Sequence, residues 1–223
     1  MNEPMIYGEP TESHLKIMKQ EVNVFSVDEV TASNVRLHQD NLQDPMSMRA
    51  QAQDTVFLSK LVKPRGLDLE ADIDLLKAFI DLVIHTTGLT NGPAAYKALA
   101  RVLDESATII LKEKYKHNYP RPAQVVTKYM GGFKPLIDSD SAKTPSYPSG
   151  HSAQAALLAL IFSEVFPHRA VAFNAIADTI GMGRVFAGLH TKEDHDYGQD
   201  IGAYLFHTMR PEVLADLASL MRG

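Results

Sequence analysis

The chain has 223 residues, 45% of them apolar, and a formal net charge of -5. That length and apolar share suit a domain with a sizeable core, and the acidic balance excludes nucleic-acid binding through a general basic field. No cysteine occurs, which removes disulfides, thiolate metal sites and a cysteine nucleophile.

In chain order, the opening MNEPMIYGEPTESHLKIMKQ holds no apolar leader segment. The sequence therefore reads as cytoplasmic, with a periplasmic location the alternative if a leader has been removed. Residues 1–60 look partly irregular, with a helical turn or two from His14 to Gln20 and irregular chain through Gln43-Asp44-Pro45. Pro64-Arg65-Gly66 is a turn signal. Ile73, Leu76, Ile80, Val83 and Ile84 then form a helical stripe that Gly88 ends. Asn91-Gly92-Pro93 starts a second helix. Leu99, Val102, Leu103, Ala107 and Ile110 carry it toward Lys114, and Pro120 and Pro122 are expected to stop it.

A loop rich in Gly, Asp, Ser and Pro runs from about Gly131 to Pro148. Helices are expected from His151 to Val165, Ala170 to Phe186, Thr191 to Met209 and Pro211 to Met221, with a break at Gly188. The longest strongly apolar stretch, Ala155 to Phe162, is far below the ~20 residues that span a bilayer. No period-two alternation stands out. The expectation is all-α: one domain over 1–223, a helical bundle, with the chemistry in residues 110–205.

Three segments carry that chemistry. Lys114 and Arg121 end a helix and begin the Pro-bracketed turn after it. Two cations this close want an anion between them, although a solvated helix end also attracts such residues. Ser149-Gly150-His151 opens a helix, where free N–H groups favour an anion and Gly allows close approach; the Ser could equally be a helix cap. His190 and Asp194 stand four apart, so a carboxylate can fix the imidazole tautomer and raise its basicity. Arg184 joins the same pocket only if the helix breaks at Gly188.

Together these segments resemble the superfamily of class A bacterial acid phosphatases, type 2 phosphatidic acid phosphatases and vanadium haloperoxidases. Lys114 with Arg121-Pro122 matches its first motif, Pro148 to His151 its second, and Arg184, His190 and Asp194 its third. Gly183 departs from the pattern: the phosphatases usually carry Ser there, and some haloperoxidases carry Gly. The resemblance implies a metal-independent phosphomonoesterase acting on a small phosphorylated substrate. It implies that Lys114, Arg121, Ser149, Gly150 and Arg184 bind phosphate. His190 would be the nucleophile, Asp194 its orienting partner and His151 the acid and base. No cofactor is expected. The alternative is a haloperoxidase holding vanadate in the same pocket. A homodimer is compatible with the family.

Other readings carry less. A lipid phosphatase would bring transmembrane helices. His195-Asp196 hints at a metallophosphohydrolase, but no further ligand set accompanies it, and an acidic, solvated helix start explains the cluster. His14, His38, His85, His117, His168 and His207 read as surface or core residues, and Tyr147 and Phe186 as packing. Asp194, Gly198 and Gly202 recur every four residues, which would let another helix approach that face closely.

Overall fold

A computed structural model describes residues 5–31, 45–61 and 74–222. Expectations at His38, Gln43-Asp44, Pro64-Arg65-Gly66 and Ile73 lie outside them. Among the described residues the chain is all-helical. The α-helices are α1 (Glu12–Met18), α2 (Pro45–Leu61), α3 (Leu75–Thr87), α4 (Gly92–His117), α5 (Pro122–Met130), α6 (Gly150–Val165), α7 (Ala170–Phe186), α8 (Lys192–Thr208) and α9 (Pro211–Arg222).

Helix α6 is the axis of the bundle. Its sequence, GHSAQAALLALIFSEV, is apolar on nearly every side, and a helix of that kind is stable only when surrounded. It packs on α3, α4, α7, α8 and α9. Phe162 on α6 is fully buried. Its ring meets Phe79 of α3 edge-on at 5.3 Å and Phe173 of α7 at 5.6 Å. Removing such a ring from a core costs about 3–5 kcal/mol.

The glycine stripe on α8 does what its spacing predicts. A Cβ at Gly202 would lie 2.4 Å from the Ala153 carbonyl oxygen, and one at Gly198 would lie 2.6 Å from that of Ser149. Helices α6 and α8 are thus nearly backbone to backbone. That contact holds the start of α6 beside the start of α8.

The sequence reading needs correction in the connections. Helix α4 ends three residues before Pro120, at His117, because Asn118 takes the left-handed conformation (φ 53°) and its N–H closes on the Lys114 carbonyl. Pro122 starts a helix instead of stopping one: it sits in the first turn of α5, where its missing N–H is harmless. Helix α2 falls in the stretch expected to be irregular. Its buried side chains include Ala52, Thr55 and Ser59, too small and polar to mark a stripe. Within the loop from 131 to 148, Asp140–Lys143 form a 3-10 turn.

Candidate active site

The chain breaks after α7 at Gly188, between Arg184 and His190, and of these two only His190 is among the residues lining the pocket described below. Gly188 has φ 81°, and a Cβ there would meet the Phe133 ring at 2.5 Å. Leu189 N–H bonds back to the Arg184 carbonyl at 3.1 Å. The turn delivers His190 two residues before α8, not on it. Thr191 is the N-cap, in a capping box with Asp194.

Asp194 is a node for three donors. Its Oδ2 accepts from Ser146 Oγ at 2.5 Å, Thr191 N–H at 2.9 Å and His190 Nδ1 at 3.1 Å. Its backbone carbonyl accepts from Ser149 N–H at 2.8 Å. One residue thus ties α8 to the Pro148–His151 turn. Burial alone would raise the Asp194 pKa, but the bonds from His190, Ser146 and Thr191 outweigh it and hold the carboxyl below its usual range.

The far side of the His190 ring meets Arg121, whose Nη1 lies 2.9 Å from Nε2. Arginine can only donate. Nε2 therefore presents its lone pair, and the ring proton sits on Nδ1, facing Asp194. Burial, then Arg121 and Lys114, push the His190 pKa well down against the pull of Asp194, so the ring is neutral.

Arg121 is held by neutral oxygens. It donates to the carbonyls of Thr144, Leu189 and Ser141 at 2.8, 2.9 and 2.7 Å, and to Thr144 Oγ1 at 3.2 Å. Lys114 Nζ donates to the carbonyls of Pro145 at 2.7 Å and Ser146 at 3.2 Å. Arg184 Nη2 reaches the hydroxyls of Ser139 and Ser141, each at 2.8 Å. All three cations are at least 95% buried. Burial lowers Lys114 well below the lysine range and Arg121 to about 10.

Lys114, Arg121, Gly150, His151 and His190 line one pocket of about 260 Å³, with Ser141 and Thr144 beside them. Burial, then the field of Arg184, Lys114 and Arg121, lowers the His151 pKa to about 3 despite Asp74. Ser149 takes the cap role left open by its sequence: its Oγ accepts from Ser152 N–H at 3.4 Å and Ser152 Oγ at 2.9 Å. Both bonds are accepted, which leaves the Ser149 proton to donate.

Behind the pocket, Tyr147 and Tyr197 stack at 4.5 Å with 7° between planes, and His117 meets Tyr147 edge-on at 5.0 Å. Glu113 Oε1 accepts from His117 Nε2 and Tyr197 Oη, each at 2.8 Å. Tyr147 and His117 therefore belong to packing, as read. The acidic start of α8 is not wholly solvated, a correction: Asp194 and His195 are buried. His195 Nδ1 meets Ser152 Oγ at 2.9 Å and Nε2 meets Asp178 at 3.1 Å. No group of three or more His, Cys, Asp or Glu among the described residues could hold a metal.

Sequence reasoning missed several partners. Ser139, Ser141, Thr144 and Ser146 position the three arginine and lysine heads and Asp194. Thr55 on α2 donates to the His190 carbonyl at 3.3 Å. His14, read as bland, lines the pocket with Ile17.

The helical bundle that carries this pocket has the fold of the bacterial vanadium haloperoxidases. Residues 93–213, more than half of the chain, match the PAP2 superfamily, and the chain belongs to it. It is 40% identical over 73 residues to a non-specific acid phosphatase of Salmonella typhimurium (strain LT2), covering 33% of this chain and 29% of that one. A non-specific acid phosphatase of Salmonella typhi is 38% identical over 73 residues, with the same coverage. Among solved structures, a holo-type bacterial vanadium-dependent chloroperoxidase superposes with TM-score 0.57 at 14% identity, over 93% of this chain and 55% of that one. A bacterial vanadium-dependent iodoperoxidase gives 0.56 at 15%, over 79% and 51%. The chain thus spans under a third of the curated relatives and about half of these solved chains. Among the described residues no helix is long and apolar enough to cross a membrane.

Proposed function

We propose that this chain is a metal-independent phosphomonoesterase working through a phosphohistidine at His190. One observation carries the reading: the His190 lone pair at Nε2 is aimed at the Arg121 guanidinium, in a pocket it shares with Lys114 and His151. A neutral imidazole backed by a carboxylate and facing buried cations is arranged to attack an anionic centre.

In the first step Nε2 bonds to phosphorus and the ester P–O bond breaks. His151 gives its proton to the departing alcohol oxygen. In the second step a water loses its proton to His151 and attacks phosphorus. The P–N bond breaks and phosphate leaves. Lys114, Arg121 and Arg184 balance the charge on the phosphoryl oxygens, where a metal would otherwise act. The Gly150 N–H and the Ser149 hydroxyl add hydrogen bonds. Asp194 keeps the tautomer and steadies the ring as it gains positive character.

The relatives support the class of reaction. Phosphate release from a panel of monoesters should persist in EDTA and be inhibited by vanadate. His190→Ala should lower turnover by ~10³ or more while melting cooperatively. A folded His190→Ala variant with wild-type turnover refutes the assignment.

The fold likeness favours a second reading, a vanadium-dependent haloperoxidase. Lys114, Arg121, Arg184 and His190 Nε2 also fit vanadate, which when bound would supply peroxide activation. Thr144 argues for the ester reading: its small hydroxyl sits on Arg121 where haloperoxidases tend to carry a bulky aromatic or His. Halide oxidation by peroxide after vanadate loading, with no ester hydrolysis, would decide for the second reading.

A further inference from the structure

Resting on the phosphomonoesterase reading, we infer that the apolar lining of the pocket is a leaving-group subsite for a compact, apolar, ring-sized alcohol, walled in part by α1. The pocket has two kinds of lining. Lys114, Arg121, His151 and His190 bring cations and imidazoles, and Ile17 of α1 with Ala107, Ile110 and Leu111 of α4 brings aliphatic carbon, alongside His14 and Gln154. Among the described residues no carboxylate lines the pocket.

Helix α1 buries no residue of its own. Its contribution is to the pocket rather than to the core. His14 and Ile17 are three apart and share a face. The face is fixed from α4: Tyr115 Oη lies 2.6 Å from His14 Nδ1, and Tyr115 follows Lys114. Nδ1 also takes the Thr11 N–H at 3.4 Å, so it is an acceptor and the His14 proton is on Nε2. The wall is therefore mainly aliphatic carbon, with the His14 ring and the Gln154 amide beside it.

At about 260 Å³ the pocket lies at the small end of ligand sites. That volume accommodates a phosphoryl group and one ring. A sugar or glycerol leaving group would turn hydroxyls toward Ile17, Ala107, Ile110 and Leu111, where they lose water and gain no partner.

The test compares benzyl phosphate with glucose 6-phosphate. Both release ordinary alcohols, so leaving-group chemistry is matched. Wild-type kcat/KM should favour benzyl phosphate at least ~10-fold. Ile17→Ala and Ile17→Asp should each bring the ratio to within about twofold, leaving inhibition by inorganic phosphate unchanged. Because no residue of α1 is fully buried, both variants should melt within a few degrees of wild type. Equal hydrolysis of the two esters, or a preference that survives both substitutions, overturns the subsite and leaves the phosphatase reading standing. Hydrolysis of neither ester overturns the phosphatase reading. The subsite is then judged without turnover, by calorimetric titration with phenylphosphonate and methylphosphonate. Tighter phenylphosphonate binding that Ile17→Asp abolishes supports it, and equal binding removes it.

Discussion

Replacing Asp194 with Asn tests the electrostatics of the site with little change of shape. Ser146 Oγ, Thr191 N–H and His190 Nδ1 all donate to Oδ2. An amide oxygen can occupy that position and accept all three bonds. The opposite rotamer would aim an NH₂ group at three donors, so the orientation is fixed. What is lost is the charge. Hydrogen bonds to an ionised group are worth about 1.5–3 kcal/mol and neutral ones about 0.5–1.5 kcal/mol. Three bonds therefore lose about 1 kcal/mol each. Burying an amide costs less than burying a carboxylate, which returns part of that and leaves a net loss of about 2 kcal/mol. For a chain of this size the melting temperature should fall by about 4–8 °C. The effect on turnover should be larger. Loss of the orienting carboxylate from a Ser-His-Asp triad lowers kcat by about 10⁴, and His190 needs the same support as its ring becomes cationic. Steady-state kinetics on an aryl phosphate, with calorimetric melting, measure both quantities. A variant within tenfold of wild-type kcat refutes the role of Asp194 in the proposed mechanism.

The remaining predictions concern pH and packing. His151 acts as an acid only when protonated in the proposed mechanism, and burial, Arg184, Lys114 and Arg121 hold its pKa near 3. kcat/KM should therefore fall as pH rises through the acid range, while bound phosphate offsets the cations and moves the alkaline limb of kcat upward. Superimposable limbs for the two parameters would sink this assignment. Stability should run the other way: the unfolded imidazole takes a proton near 6.5 and the folded one resists until about 3, so acid destabilises the fold between these values. Gly202→Ala should cost about 1–3 kcal/mol, because the new Cβ meets the Ala153 carbonyl at 2.4 Å and neither helix backbone can yield. Gly183→Ala is the control: its Cβ meets nothing within 4 Å, so it should be neutral or stabilise by up to about 1 kcal/mol. Thermal melts of the pair check both.

What the sequence revealed depended on which atoms do the work. Apolar runs bounded by Pro167, Gly188 and Pro211 exposed α6, α7 and α8, because Leu157, Ile161, Ile180 and Ile201 must be buried in a core. The Gly198–Gly202 stripe foretold the close approach of α8 to α6, because small residues on one face leave room for a neighbouring backbone. Helix α2 stayed hidden because its inward side chains at 52, 55 and 59 are Ala, Thr and Ser, and α5 because its opening proline reads both ways. The charged residues of the site were legible as three spaced motifs. Their partners were not. Lys114 and Arg121 are positioned chiefly by backbone carbonyls, and every residue has one. Only the fold selects Ser141, Thr144 and Leu189 for Arg121, and only the fold brings His14 and Ile17 to the pocket from a hundred residues away.

The 2.9 Å contact between Arg121 and the unprotonated nitrogen of His190 sets an order of events for the proposed mechanism. That nitrogen must part from the guanidinium before it can reach phosphorus. A phosphoryl group that takes the arginine as its own partner would free the ring in the same event. The proposed nucleophile would then be uncovered only by its target.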